Sequence, residues 1–141
     1  MTDPFGLQRF VDIQDEGHYL MAVGELRAGR KRSHWMWFVF PQLAGLGRSQ
    51  VAQLYAIRSL DEARAYAAHP VLGTRLRACA AAMLSVPDRS AEAILGETDA
   101  MKLRSSMTLF HRADPTETVF AAVLVRFFDG VADPLTEARL G

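Results

Sequence analysis

Residues 114–130 read DPTETVFAAVLVRFFDG, and no other stretch limits the possible folds so tightly. Val119, Phe120, Val123, Leu124, Phe127 and Phe128 recur at steps of three and four, the spacing of one helix face. Asp114 offers an N-cap, Pro115 a first helical residue that needs no N–H partner, and Glu117 a boxed acid. Asp129-Gly130 stops the run, because glycine readily takes the left-handed geometry that ends helices. A helix with so apolar a face cannot stand alone in water. The rest of the chain has to supply surfaces that cover it.

Those surfaces also read as helices. Tyr19, Leu20, Val23 and Leu26 give a helix between Gly17 and Gly29. Ser59 and Glu62 form a capping box for a run to Ala68, which His69-Pro70 breaks. Leu72, Leu76, Cys79, Ala80 and Met83 follow at helical spacing up to Pro87-Asp88. Ser90 to Leu95 makes a short helix closed by Gly96. Leu103, Met107 and Phe110 mark the next, over roughly residues 99–112 with Asp99 as its N-cap. Asp3-Pro4 opens the first helix and Asp133-Pro134 the last. Only residues 35–40 and 51–57 could be strands. Residues 35–40 are apolar on both faces and would need a sheet interior, yet partner strands are missing. A buried helical turn ended by Pro41 is the better reading. The expectation is a compact, all-α, multihelical single domain over residues 1–141, with about six to eight helices.

With 141 residues, half of them hydrophobic, the chain can bury a core without a metal or disulfide. The single Cys79 falls on an apolar stripe, which points to a buried, inert thiol and a reducing, cytoplasmic setting. The N-terminus lacks the charged and apolar blocks of a signal peptide, and no stretch approaches membrane-spanning length. The formal net charge is zero, which argues against nucleic-acid binding by bulk charge. No helix-turn-helix is visible, so sequence-specific DNA binding is not expected. The charge is nevertheless uneven. From Arg27 through Arg58 there are six Lys and Arg residues and no acid, whereas residues 1–26 carry five acids and one Arg.

Three constellations could carry chemistry. The first is KRSHWMWFVFPQ, residues 31–42, which holds both tryptophans. Trp35 or Trp37 could stack on a ring while Arg30, Lys31 and Arg32 grip phosphate and Ser33 or His34 hydrogen-bonds. Equally, the aromatics could be core and the basic residues a solvated loop. The second is the helix face of Asp99, Lys102 and Ser106, with Ser105 beside it. It could bind an anion or activate a hydroxyl, or simply face water. The third is the glycine loop Gly45-Leu-Gly47-Arg48-Ser49 ahead of a helix at 49–56, which could let a ligand approach the backbone or merely connect. No GxSxG, SxxK, GxxxxGK[ST] or HExxH motif is present. His18, His69 and His111 have no metal-ligand spacing, so no metal or cofactor is expected.

HWMWFVFPQLAGLGRS, YAIRSLDEARAYAAHPVLGTRL and KLRSSMTLF occur in that order, with DPFGLQRFVDIQ near the start and DP-x-T near the end. In these the chain resembles the bacterial domain-of-unknown-function family 1810 over nearly its whole length. The matching positions are Lys31, His34, Trp35, Trp37, Pro41, Gln42, Gly45, Gly47 and Ser49, then His69, Pro70, Lys102, Ser105, Ser106, Met107 and Thr108. The resemblance implies a multihelical all-α fold and brings no activity with it. Some members carry a calpastatin label. That label implies disordered, charge-rich repeats, which this apolar, repeat-free chain lacks. In plan the chain is also similar to small helical domains that process ADP-ribose and related nucleotide N-glycosides. The expected function is binding or processing of a phosphorylated, nucleotide-like small molecule between residues 31–42 and the helix at 99–112. Lys31, Arg32, His34, Trp35, Trp37, Gln42, Lys102, Ser105 and Ser106 are the candidate ligand contacts. If an N-glycosidic bond is hydrolysed, Asp99, Glu62 or His34 would supply the acid–base step. The alternative is a non-enzymatic adaptor whose basic segment meets a protein partner.

Overall fold

A computed structural model describes residues 3–141. Among these, six helices of seven residues or more carry the fold, joined by four shorter ones. They are α1 (Gln8–Ile13), α2 (Tyr19–Arg27), α3 (Met36–Val39), α4 (Gln50–Leu54), α5 (Leu60–Ala68), α6 (Leu72–Leu84), α7 (Ala91–Leu95), α8 (Glu97–Ala113), α9 (Thr118–Phe128) and α10 (Pro134–Leu140). The all-α reading therefore holds. No helix among the described residues is long and apolar enough to cross a membrane. Among the described residues, sheet structure is reduced to one isolated parallel bridge between Leu43 and Ile57.

The longest helix, α8, is the axis of the molecule. It packs against α5, α7, α9 and α10, while α6 fills the space between α2, α5 and α9. Leu103, Met107, Leu109 and Phe110 of α8 are fully buried, so the helix is covered on more than one side. A row of aromatic rings ties four helices together. Phe10 meets Tyr66 edge-on with centroids 5.1 Å apart, Tyr66 meets Phe110 at 5.2 Å, and Phe110 meets Phe120 at 6.0 Å. Tilted and edge-on contacts set the positive ring edge against the negative ring face. Glycine permits a close approach at Gly73, where α6 passes the end of α5. A Cβ there would lie 2.1 Å from the Ala67 carbonyl oxygen.

Local capping departs from the sequence reading in three places. Asp3-Pro4 does not open a helix. The chain turns at Gly6 (φ 64°) and α1 starts at Gln8, although the Asp3 carboxylate still accepts from the Leu7 and Gln8 N–H groups. The helix expected at residues 99–112 begins at Glu97, behind Gly96, so Asp99 sits in its first turn and is not the cap. Asp114 ends α8 instead of starting α9, which opens at Thr118 with Glu117 as its cap. The Asp114 N–H is still hydrogen-bonded to the Phe110 carbonyl, so this residue belongs to the last turn of the preceding helix. Residues Gln14–His18 form a π-helical turn kinked at Gly17 (φ 103°), joining α1 to α2. Apolar spacing carried no sign of it.

Candidate functional site

The basic–aromatic segment is shaped by a residue outside it. Glu25, near the end of α2, accepts hydrogen bonds from the backbone N–H groups of Arg32 and Ser33, from the Ser33 hydroxyl at 2.6 Å, and from the Trp35 indole at 2.9 Å. Burial alone would raise the Glu25 carboxyl, but these four donors outweigh it and hold the group at about 2. A fifth anchor is the Lys31 N–H, which donates to the Ile94 carbonyl at 2.8 Å. The loop is thus pinned at both ends before α3 begins.

Pinning the loop aims Lys31 at the first turn of α8. Its ammonium lies 2.9 Å from Asp99 Oδ2 and 5.3 Å from the Trp35 ring centroid. The other oxygen, Asp99 Oδ1, faces Lys102 Nζ at 3.5 Å. Lys102 in turn sits 4.8 Å from the Trp37 centroid, within cation–π range. Segment 31–42 and α8 therefore meet, through one carboxylate flanked by two lysines. Asp99 is bound more closely to Lys31, which leaves Lys102 the looser of the two.

Lys102 opens onto a cleft of about 220 Å³ lined by Gln42, Leu46, Gly47, Thr98, Met101, Ser105, Asp133 and Leu135. On the other side of Lys102, Gln42 and Gly47 lies a recess of about 10 Å³ that reaches Trp37 and Tyr55. That is room for about one water molecule. Gly47 approaches Ala52 so closely that a Cβ would lie 2.6 Å from the Ala52 Cβ. The glycine loop thus contributes its backbone to the cleft wall. Its helix, α4, is a single turn whose Ala52 N–H already donates to the Ser49 hydroxyl at 3.1 Å.

The remaining candidates divide. Trp35 is wholly buried and its indole is committed to Glu25, so of the two tryptophans only the half-buried Trp37 remains partly exposed. Arg32 is exposed and lines a different, shallow groove with Arg30, Arg89 and Glu25. His34 is exposed, with no hydrogen bond among the described residues. Ser105 lines the cleft, whereas Ser106 is fully buried, and its hydroxyl has no partner among the described residues. Glu62 lies away from the cleft, where it completes the α5 cap through the Arg58 N–H and pairs with Arg9 at 3.0 Å. Cys79 is buried, which pushes its thiol up to about 12 and removes it as a nucleophile. No group of three or more metal-ligating side chains is assembled among the described residues.

In the sequence Asp133 reads only as the cap of the last helix. It does cap α10, but it is also 4% exposed and lines the cleft. Its Oδ2 accepts from the Thr136 N–H at 3.0 Å, the Thr136 hydroxyl at 2.6 Å and the Ser105 hydroxyl at 3.3 Å. The Asp133 N–H donates to Thr108 Oγ1 at 2.9 Å, so α10 is stitched to α8 through two members of the SSMT run. The only sign in the sequence was the recurrence of the family pattern at DP-x-T.

Comparison with known proteins agrees with this architecture. The profile of the family described as "Protein of unknown function (DUF1810)" matches residues 4–140. The crystal structure of the conserved hypothetical protein Rv1873 from Mycobacterium tuberculosis superposes with a TM-score of 0.95 at 52% identity, covering 98% of each chain. No curated protein matches the chain.

Proposed function

Since the chain belongs to the DUF1810 family, whose description assigns no activity, we propose a function from the cleft itself: it binds a small phosphorylated, nucleotide-like molecule between segment 31–42 and α8. The observation that carries this reading is Lys102. It is a partly buried cation at the junction of the two segments, shared by the cleft and the recess beside Trp37. An ammonium with one loosely held counter-ion suits an incoming phosphate oxygen. Leu46, Met101 and Leu135 offer apolar walls for a ring, and Gln42, Ser105 and Asp133 offer the few polar groups that fix orientation.

Size narrows the class. At about 220 Å³ the cleft is smaller than the roughly 300–1,000 Å³ usual for drug-sized ligands. It suits a mononucleotide or a sugar phosphate, while the far half of a dinucleotide would lie in solvent. Lys31 acts one step back: it holds Asp99, and Asp99 holds Lys102. No proton-transfer step is assigned, because Asp99 is engaged by both lysines while Glu62 and His34 lie outside the cleft. A cytoplasmic setting fits a lone, buried cysteine.

The test is thermal melting with AMP, ribose 5-phosphate, ADP-ribose and NAD. A true ligand at a hundredfold excess over its dissociation constant should raise the melting temperature by about 5 °C or more. Lys102→Ala should melt near the wild type when free and lose about tenfold or more in affinity. If no phosphate-bearing compound moves the transition, the reading fails.

A further inference from the structure

We infer that Asp133 is a ligand-reading acceptor, so that the cleft selects molecules carrying a hydrogen-bond donor, hydroxyl or amino, beside their phosphate. This rests on the phosphate reading given above and specifies what else the ligand must present. The carboxylate is more than nine-tenths buried, yet no cation pairs with it among the described residues. All three donors that reach it converge on Oδ2. Oδ1 accepts nothing there, and it is not among the sealed polar atoms that lack partners. An oxygen that is unsealed and unpartnered, on a buried residue lining the cleft, points to the cleft as its outlet.

Burying a carboxylate is costly unless its oxygens are satisfied. Capping α10 does not explain the cost, since a neutral Ser, Thr or Asn caps a helix as well. A donor on a bound molecule would complete the set. The Gln42 side-chain amide lines the same cleft, also makes no hydrogen bond among the described residues, and can take a second donor or acceptor. The signs of the charges set the order along the ligand: phosphate at Lys102, donor group at Asp133.

Three probes of one skeleton separate the possibilities. Glycerol phosphate carries hydroxyls, ethanolamine phosphate an ammonium, and n-propyl phosphate neither. Affinities are measured by calorimetry on the full chain. At least one donor-bearing probe should bind about tenfold more tightly than n-propyl phosphate, the gain expected for one hydrogen bond to a charged acceptor. The better of glycerol and ethanolamine phosphate identifies the donor. Asp133→Asn, which keeps a good capping residue, should shrink that preference to about twofold or less, whereas Lys102→Ala should weaken all three probes together. Equal binding of the three probes by the wild-type protein would overturn the inference while leaving the phosphate reading intact, and this arm needs no variant to fold. An undiminished preference in folded Asp133→Asn would overturn it as well. If none of the three binds and the nucleotides above also fail, it is the phosphate reading that falls.

Discussion

At the scale of single residues, Glu25 shows how one side chain can set a loop. Its four donors hold the carboxyl at about 2, below its ordinary value near 4.5. A carboxyl depressed on folding stabilises the protein above the unfolded value and loses that contribution as pH falls toward the folded one. Glu25 should therefore contribute fully above about pH 5 and progressively less between about pH 5 and pH 2. For this partly exposed group the contribution is about 1–2 kcal/mol after solvent screening. Glu25→Gln should lower stability at pH 7 by that amount and flatten the fall in stability across the acid range, both read from urea unfolding series. Because Glu25 sets the loop that positions Lys31, the same variant should also weaken phosphate-ester binding. An affinity equal to wild type would show that the Lys31–Asp99–Lys102 arrangement does not depend on this anchor.

At the scale of elements, most helices were legible because each carries its own start, stop and apolar stripe. The runs before Ala68, Met83, Leu95 and Phe128 all appear close to where local rules put them. Local rules failed where two helices compete for one residue. Asp114 has good N-cap chemistry, yet the end of α8 uses it first. They also could not foresee the π-helical turn at Gln14–His18, whose buried Gln14 donates to the Phe38 carbonyl and the Tyr66 hydroxyl, both far along the chain. Element contacts give a sharp prediction at Gly73. Since a Cβ there would collide with backbone, and backbone cannot swing aside as a side chain can, Gly73→Ala should cost about 2–3 kcal/mol despite alanine's better helix propensity. Chemical denaturation decides it, and a neutral or stabilising result would mean that α5 and α6 can slide apart freely.

At the scale of the whole molecule, α8 joins stability to the site. One side carries Leu103, Met107 and Phe110 into the core, while Asp99, Lys102 and Ser105 reach the loop and the cleft. A ligand held at Lys102, as proposed, would therefore bear on this deeply packed helix. Phe110→Ala, which breaks the aromatic row between Tyr66 and Phe120, should cost about 3–5 kcal/mol. In native-state hydrogen exchange, amides of residues 103–110 should be the slowest to open, and those of the exposed single-turn α4 among the fastest. Exchange of α8 at the rate of α4 would contradict its place as the axis of the fold.

The sequence by itself determined the all-α class, the placing of most helices, and the two segments that meet at Lys102, because apolar period, caps and breakers act over a few residues. Only the tertiary structure decided which of their side chains face a shared space. Trp35 and Trp37 are two residues apart and chemically alike, yet one is sealed in the core and the other stays partly exposed beside the recess. Asp133 reads locally as a helix cap and acquires its place in the cleft only when α10 folds back onto α8. Burial and convergence depend on how distant helices pack, and local spacing carries no record of that packing.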